Sequence, residues 1–198
     1  MQDNQSLTVI LFGLQGSGKG TQAQLLKEYL DTHTHKKTLY LETGQLLRNF
    51  TEKQGYTSEL VAQTLSKGGL LPSFMPVFVL GTVMVNSFTG QEHLIFDGAT
   101  RRVNQSVMLD SMLRFYNRTP YHLVLIDLEE DVAIERLQGR GRKDDTVDSI
   151  KKRIAWSKEH MASVIQQFES FDCTIHRVDG SPSIEEVHQS ILKTLGLQ

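Results

Sequence analysis

Gly13-Leu14-Gln15-Gly16-Ser17-Gly18-Lys19-Gly20-Thr21 decides how this chain is read. The stretch follows an apolar run, Leu7-Thr8-Val9-Ile10-Leu11-Phe12, and precedes a helical pattern from Gln22 to Leu30. An apolar run, a glycine-rich turn and a helix in that order make a phosphate-binding loop. Glycines let the backbone curl so that several N–H groups point inward at phosphate oxygens, and the helix adds the positive end of its dipole. Gly16, Ser17, Gly18, Gly20 and Thr21 are the positions that would surround the phosphates, and Lys19 reaches the outer ones as a point charge. A glycine-rich turn alone is a weak signal; here the Gly13-to-Gly18 spacing, the lysine and both flanks agree. The usual hydroxyl directly after the lysine is missing, because Gly20 stands there and Thr21 follows. A metal ion would therefore rely on water and phosphate oxygens more than on a loop ligand.

Outward from this loop, short apolar runs alternate with longer helical stretches. The expected strands are Thr8–Phe12, Thr38–Glu42, His93–Asp97, His122–Asp127 and Cys173–Val178. The expected helices run near Gly18–Tyr29, Gly44–Glu52, Ser58–Lys67, Ser73–Phe88, Gln105–Tyr116, Asp131–Gln138, Thr146–Phe168 and Ile184–Leu195. Such alternation predicts an α/β fold with a parallel five-stranded sheet flanked by helices on both faces. Its ligand crevice should lie beyond the carboxyl ends of the strands. Extra helical segments between the second and third strands mark residues 43–71 as an insert, with Gly68-Gly69 as a possible hinge, on a core of residues 1–42 and 72–198. Val147, Ile150, Ile154, Met161, Val164, Ile165 and Phe168 recur at helical spacing. Asp144 and Asp145, just before them, suit a helix cap and the helix dipole.

Composition narrows the classes. The 198 residues are 39% hydrophobic and 22% charged, ordinary for a globular protein, with 21 basic and 23 acidic side chains for a net charge of −2. That balance argues against a general nucleic-acid binder. One cysteine, Cys173, rules out an internal disulfide and a cysteine-rich zinc site. Its place at the start of an apolar strand suits an inert buried thiol. The histidines are scattered, and no zinc is expected. No apolar run reaches membrane-spanning length, and the polar start, Met1 to Ser6, lacks a secretory pattern. The expectation is a cytoplasmic protein with no membrane partner.

Asp97 ends the apolar run Leu94-Ile95-Phe96. An acid there would hold magnesium through water beside the phosphate loop. Arg48, Arg101, Arg102, Arg136, Arg140, Arg142 and Arg153 recur at strand ends and helix edges. Any one of them alone reads as a solvated charge. As a set they suit phosphoryl transfer, where the protein positions reactants and neutralises charge without a covalent nucleophile.

With these residues in view, the chain resembles the adenylate kinases of the nucleoside-monophosphate kinase family, a P-loop NTPase fold. Its loop is similar to the family's GxPGxGKGT, with Gln15 in place of proline. Glu42-Thr43-Gly44-Gln45-Leu46-Leu47-Arg48 resembles S-T-G-D-x-L-R, and Asp97-Gly98-Ala99-Thr100-Arg101 resembles D-G-F-P-R. The resemblance implies an AMP site at Thr43, Arg48, Leu71, Gly98, Arg101 and Gln105, with Gln105 on the adenine. Arg136, Arg140, Arg142, Asp144, Asp145 and Arg153 follow the family order R-x3-G-R … R-x-D-D … K-R. By that match Lys19, Arg101, Arg140, Arg142 and Arg153 are catalytic. Arg136 and Ser181 join the loop in binding ATP. The implied reaction is reversible, magnesium-dependent transfer from ATP to AMP giving two ADP, by a monomer as the default.

Three departures stand out. Gln45 replaces an aspartate, Ala99-Thr100 replace Phe-Pro beside the AMP site, and the lid is reduced to a vestigial loop within residues 136–145, where only Gly141 separates Arg140 from Arg142. Two other readings follow. One is the same chemistry with UMP, CMP or another acceptor, which Thr43 and Gln105 oppose. The other is a non-catalytic ATP-binding sensor, which the retained arginines oppose.

Overall fold

The computed structural model describes residues 6–141 and 146–198. Five strands, β1 (Thr8–Phe12), β2 (Thr38–Glu42), β3 (His93–Asp97), β4 (Tyr121–Asp127) and β5 (Cys173–Asp179), form one parallel sheet in the order β2-β3-β1-β4-β5. β1 and β3 are buried along their whole length. A strand covered on both faces can be apolar at consecutive positions, which is why these segments read as continuous runs rather than alternating ones.

Helices α1 (Lys19–His33) and α8 (Ile184–Thr194) cover one face, packing Ala23, Leu26, Leu30, Val187 and Ile191 on Val9, Leu11, Ile95, Val124 and Ile126. The opposite face carries α4 (Phe74–Ser87), α5 (Val103–Phe115) and α7 (Val147–Glu169). Leu80, Met84, Leu109, Leu113, Val164 and Phe168 meet Ile10, Phe96, Leu123 and Leu125 there. At about 25 cal/mol per Å² of apolar surface, burial on these two faces supplies the main drive for folding. Tyr121 is fully buried, and its hydroxyl donates to Asp110 Oδ1 at 2.9 Å, so its polar end is satisfied inside the core.

Between β2 and α4 lie α2 (Thr43–Thr51) and α3 (Tyr56–Ser66). Leu47, Val61 and Leu71 pack with Met75 and Val79 of α4 in a small apolar cluster of their own. α6 (Glu130–Gly139) precedes α7, so residues 140–146 connect the two helices. Arg142, Asp144 and Asp145 fall outside the described residues. The α7 cap is supplied by Thr146, whose Oγ1 accepts from Ser149 N at 3.2 Å. α5 begins two residues earlier than its pattern suggests, because Gln105 serves as a capping side chain rather than as the first helical residue. His33 closes α1, its ring stacked on Tyr29 with centroids 4.2 Å apart. Cys173 is half-buried, and burial pushes its thiol up to about 12. Among the described residues no helix is long and apolar enough to cross a membrane.

Candidate active site

The cleft opens where parallel strands end. Glu42 and Asp97 pair in register at the carboxyl ends of β2 and β3, and Leu11 of β1 pairs with Asp97, so the turn after β1 emerges beside them. That turn is the glycine-rich loop. Its glycines are sterically required at two points. A Cβ at Gly13 (φ 139°) would lie 2.5 Å from Ile126 O, and one at Gly16 (φ 87°) would lie 2.5 Å from Ala133 O. The loop is thus wedged between the end of β4 and α6, and only glycine lets the backbone pass.

Lys19 sits in the first turn of α1, folded back so that Nζ donates to Gly13 O at 3.0 Å and Leu14 O at 2.7 Å. Burial lowers its pKa to about 8; Asp97 opposes that shift, and Arg101 and Arg140 add to it. Burial likewise raises the Asp97 carboxyl, against the pull of Lys19 and with a further push from Glu42, while Tyr40 Oη donates to its Oδ2 at 3.3 Å. The Arg101 guanidinium is held below its ordinary pKa by burial and by Arg153, with Asp97 as the opposing charge. This is a preorganised concentration of positive charge around one acid, suited to receive phosphates.

A divalent cation fits this end of the cleft. Two carboxylates stand side by side at the ends of β2 and β3, and Gly20 leaves room before them, since even a Cβ there would come within 3.3 Å of Asp97 Oδ2. An oxygen-donor site with space for water is what magnesium takes.

One cavity of about 1220 Å³ joins the residues named from the sequence. Its walls include Gly16, Ser17, Gly18, Lys19, Gly20 and Thr21 from the loop and α1, Arg136 of α6, Arg140 just after that helix and Arg153 of α7. Thr43, Arg48, Leu71, Gly98, Arg101 and Gln105 also line it, with Asp97. Ser181 is exposed, donates its N–H to Asp179 Oδ1 at 2.9 Å, and is not part of the wall; its neighbours Gly180 and Pro182 are. Arg136 Nη1 donates to Gly180 O at 3.0 Å, tying α6 to the loop after β5.

Individual side chains are poised in different ways. Thr43 is buried and its Oγ1 has no hydrogen-bond partner among the described residues. A buried hydroxyl left unpaired is costly, and a ligand group would relieve it. Arg48 is turned onto its own helix, with Nη2 donating to Glu42 Oε1 at 2.9 Å and both Nε and Nη2 donating to Gln45 Oε1 at 3.2 and 2.9 Å. Gln105 Oε1 accepts from the N–H groups of Arg101 and Arg102 at 2.7 and 3.2 Å, leaving its NH₂ end as the part that could meet a ligand. Arg153 Nε donates to Ser149 O at 3.1 Å. Ala99 and Thr100 are buried and do not line the cleft.

Some wall residues were not singled out in the sequence. Trp156 lines the cavity, and the Arg102 guanidinium lies 5.5 Å from its ring centroid. Gln15, placed in the loop motif only as a departure from proline, turns its side chain to Arg101. These pairings join distant segments, so no local pattern announces them.

A parallel sheet with a phosphate loop, a strand-end acid beside it and arginines in the same cavity defines a P-loop phosphotransferase of the nucleoside-monophosphate kinase type. A protein-family model described as adenylate kinase matches residues 11–173. The adenylate kinase of Azobacteroides pseudotrichonymphae is 29% identical over 194 residues, covering 96% of this chain and 97% of that protein. The Porphyromonas gingivalis adenylate kinase is 30% identical over 186 residues, covering 91% of each, and that of Prochlorococcus marinus is 31% identical over 184 residues, covering 92% and 95%. The chain belongs to the adenylate kinase family. It is accordingly a nucleotide-binding phosphotransferase with adenylate kinase function.

Proposed function

We propose that this cleft transfers the terminal phosphoryl group of ATP directly to AMP, with the donor on the loop and the acceptor between residues 43–71 and the end of β3. The observation that carries this reading is the meeting of Lys19, Asp97 and Arg101 in one cavity also lined by Thr43, Arg48 and Gln105. Lys19 and the N–H groups of residues 16–21 hold the donor phosphates. Arg101 and Arg48 hold the acceptor phosphate, so Arg48 must leave Glu42 and Gln45 when AMP enters. Arg140, Arg142 and Arg153 stabilise the charge on the group in flight. The acceptor phosphate is already ionised, so no general base is required.

Asp97, through water and beside Glu42, would hold magnesium, which when bound neutralises charge on the donor phosphates. Thr43, Leu71 and the NH₂ of Gln105 bound the acceptor base. Ala99 and Thr100 lie in the core rather than on the cleft wall, so the preference for AMP over UMP or CMP rests on Thr43 and Gln105. Arg136 and the segment after β5 flank the donor base, with Ser181 at its edge. We read residues 43–71 as the moving insert and residues 140–146 as what remains of a lid, in a monomeric, cytoplasmic enzyme. A coupled assay with ATP and each of AMP, UMP, CMP and GMP tests the acceptor assignment. AMP should be used at least about tenfold better than the others, given a polar base contact worth roughly 1–3 kcal/mol. Equal use of UMP or CMP would overturn it.

A further inference from the structure

The Arg101 guanidinium, the group placed above on the acceptor phosphate, meets one side-chain acceptor among the described residues, and that acceptor belongs to the donor loop. With its amide oriented to satisfy both groups, the Gln15 carbonyl accepts from Arg101 Nη2 at 3.1 Å and Nη1 at 3.2 Å. The orientation follows from chemistry, because a guanidinium can only donate and the amide oxygen must therefore face it. No salt bridge to Arg101 occurs among the described residues; Asp97 acts on it only through space. Gln15 leaves its loop half-buried, and both residues line the same cavity.

We infer that Gln15 is a positioning residue that fixes the Arg101 guanidinium from the donor side and so aligns the acceptor phosphate with the phosphate loop. The inference rests on the proposed role of Arg101. Two donors shared with one oxygen fix the plane of the guanidinium as well as its place. The acceptor is neutral, so the arginine keeps its full charge for phosphate. A carboxylate in the same place would hold it as well but compete with the ligand. A proline there offers no side-chain acceptor, so this link is a property of this chain's own loop.

A double-mutant cycle with steady-state kinetics tests the inference. Gln15→Ala should lower kcat by about tenfold to a hundredfold, the loss expected for a hydrogen bond to a charged group. KM for ATP should change little, since the loop's glycines and Lys19 remain. In an Arg101→Ala background, adding Gln15→Ala should change kcat by less than about twofold, because its partner is gone. Gln15→Glu should keep much of kcat but raise KM for AMP, since the carboxylate competes with the acceptor phosphate for the same guanidinium. Equal effects of Gln15→Ala in both backgrounds would overturn the inference, as would a variant that shifts only thermal stability. An Arg101→Ala enzyme that uses AMP normally would overturn it too, and would take the proposed role of Arg101 with it.

Discussion

Lys19 shows how a site group can cost the fold stability and still be needed. Its ammonium is held among main-chain carbonyls and near two arginines, and its pKa falls from 10.5 to about 8. The folded state therefore binds fewer protons than the unfolded chain between about pH 8 and 10.5, so this group's contribution to stability improves as pH rises through that window. Below about pH 8 both states are protonated, and the folded protein bears the whole cost of the buried charge. Lys19→Met should thus leave the ligand-free protein at least as stable at pH 7, with a gain on the order of 1 kcal/mol that shrinks toward pH 10. Its turnover should drop by roughly 10²–10³, the scale for removing one group that stabilises transferring charge. Thermal melts across pH and a coupled assay check both halves, and a destabilised but active variant would contradict them. Thr43→Ala makes a parallel case. The Oγ1 is buried without a partner among the described residues, so its removal should cost the empty protein little stability while narrowing the preference for AMP over UMP by about tenfold to a hundredfold. An unchanged acceptor profile with a lowered melting temperature would make Thr43 a structural residue.

At the scale of elements, the end of the insert region bears directly on the helix that carries Arg153. A Cβ at Gly68 (φ 66°) would lie 2.9 Å from the Ser149 Cβ, and Arg153 donates to Ser149 O from Nε and to Ser149 Oγ, at 3.4 Å, from Nη2. Gly68→Ala should cost about 1–2 kcal/mol from the left-handed backbone alone. By pushing Ser149 it should also displace Arg153 and lower kcat. A variant with unchanged melting temperature and kcat would show that this contact is slack. The same elements show what the sequence could disclose. β1 and β3 were legible because strands buried on both faces carry unbroken apolar runs. That Lys19 and Asp97 line the cavity was legible from the glycine-rich loop and the strand end, and Arg101 from the resemblance of its segment to D-G-F-P-R. The start of α5 was obscured because Arg102, a poor capping type, precedes the helix while Gln105 caps from inside it. The pairs Gln15 with Arg101, and Trp156 with Arg102, were illegible because tertiary folding alone brings those segments together.

For the whole molecule, the short connection between α6 and α7 should shift the work of closure. Lids in phosphoryl-transfer enzymes exclude water and complete the catalytic arrangement. Residues 140–146 are too few to form a separate domain, so closure should come mainly from residues 43–71 moving over the acceptor. A fluorophore pair on the insert and the core should report little change on ATP alone and most of the change on AMP or a bisubstrate analogue. Full closure on ATP alone would contradict this assignment. The central claim is that one cleft holds both nucleotides and passes a phosphoryl group directly between them. Phosphorus NMR of ATP and AMP with magnesium and the enzyme tests it most directly. The γ-phosphate and AMP signals should fall together as ADP rises, with AMP and ATP consumed one for one and inorganic phosphate only a minor product, and Lys19→Met should slow the change by roughly 10²–10³. Conversion of ATP to ADP and inorganic phosphate with AMP untouched, or no turnover at all, would contradict the account.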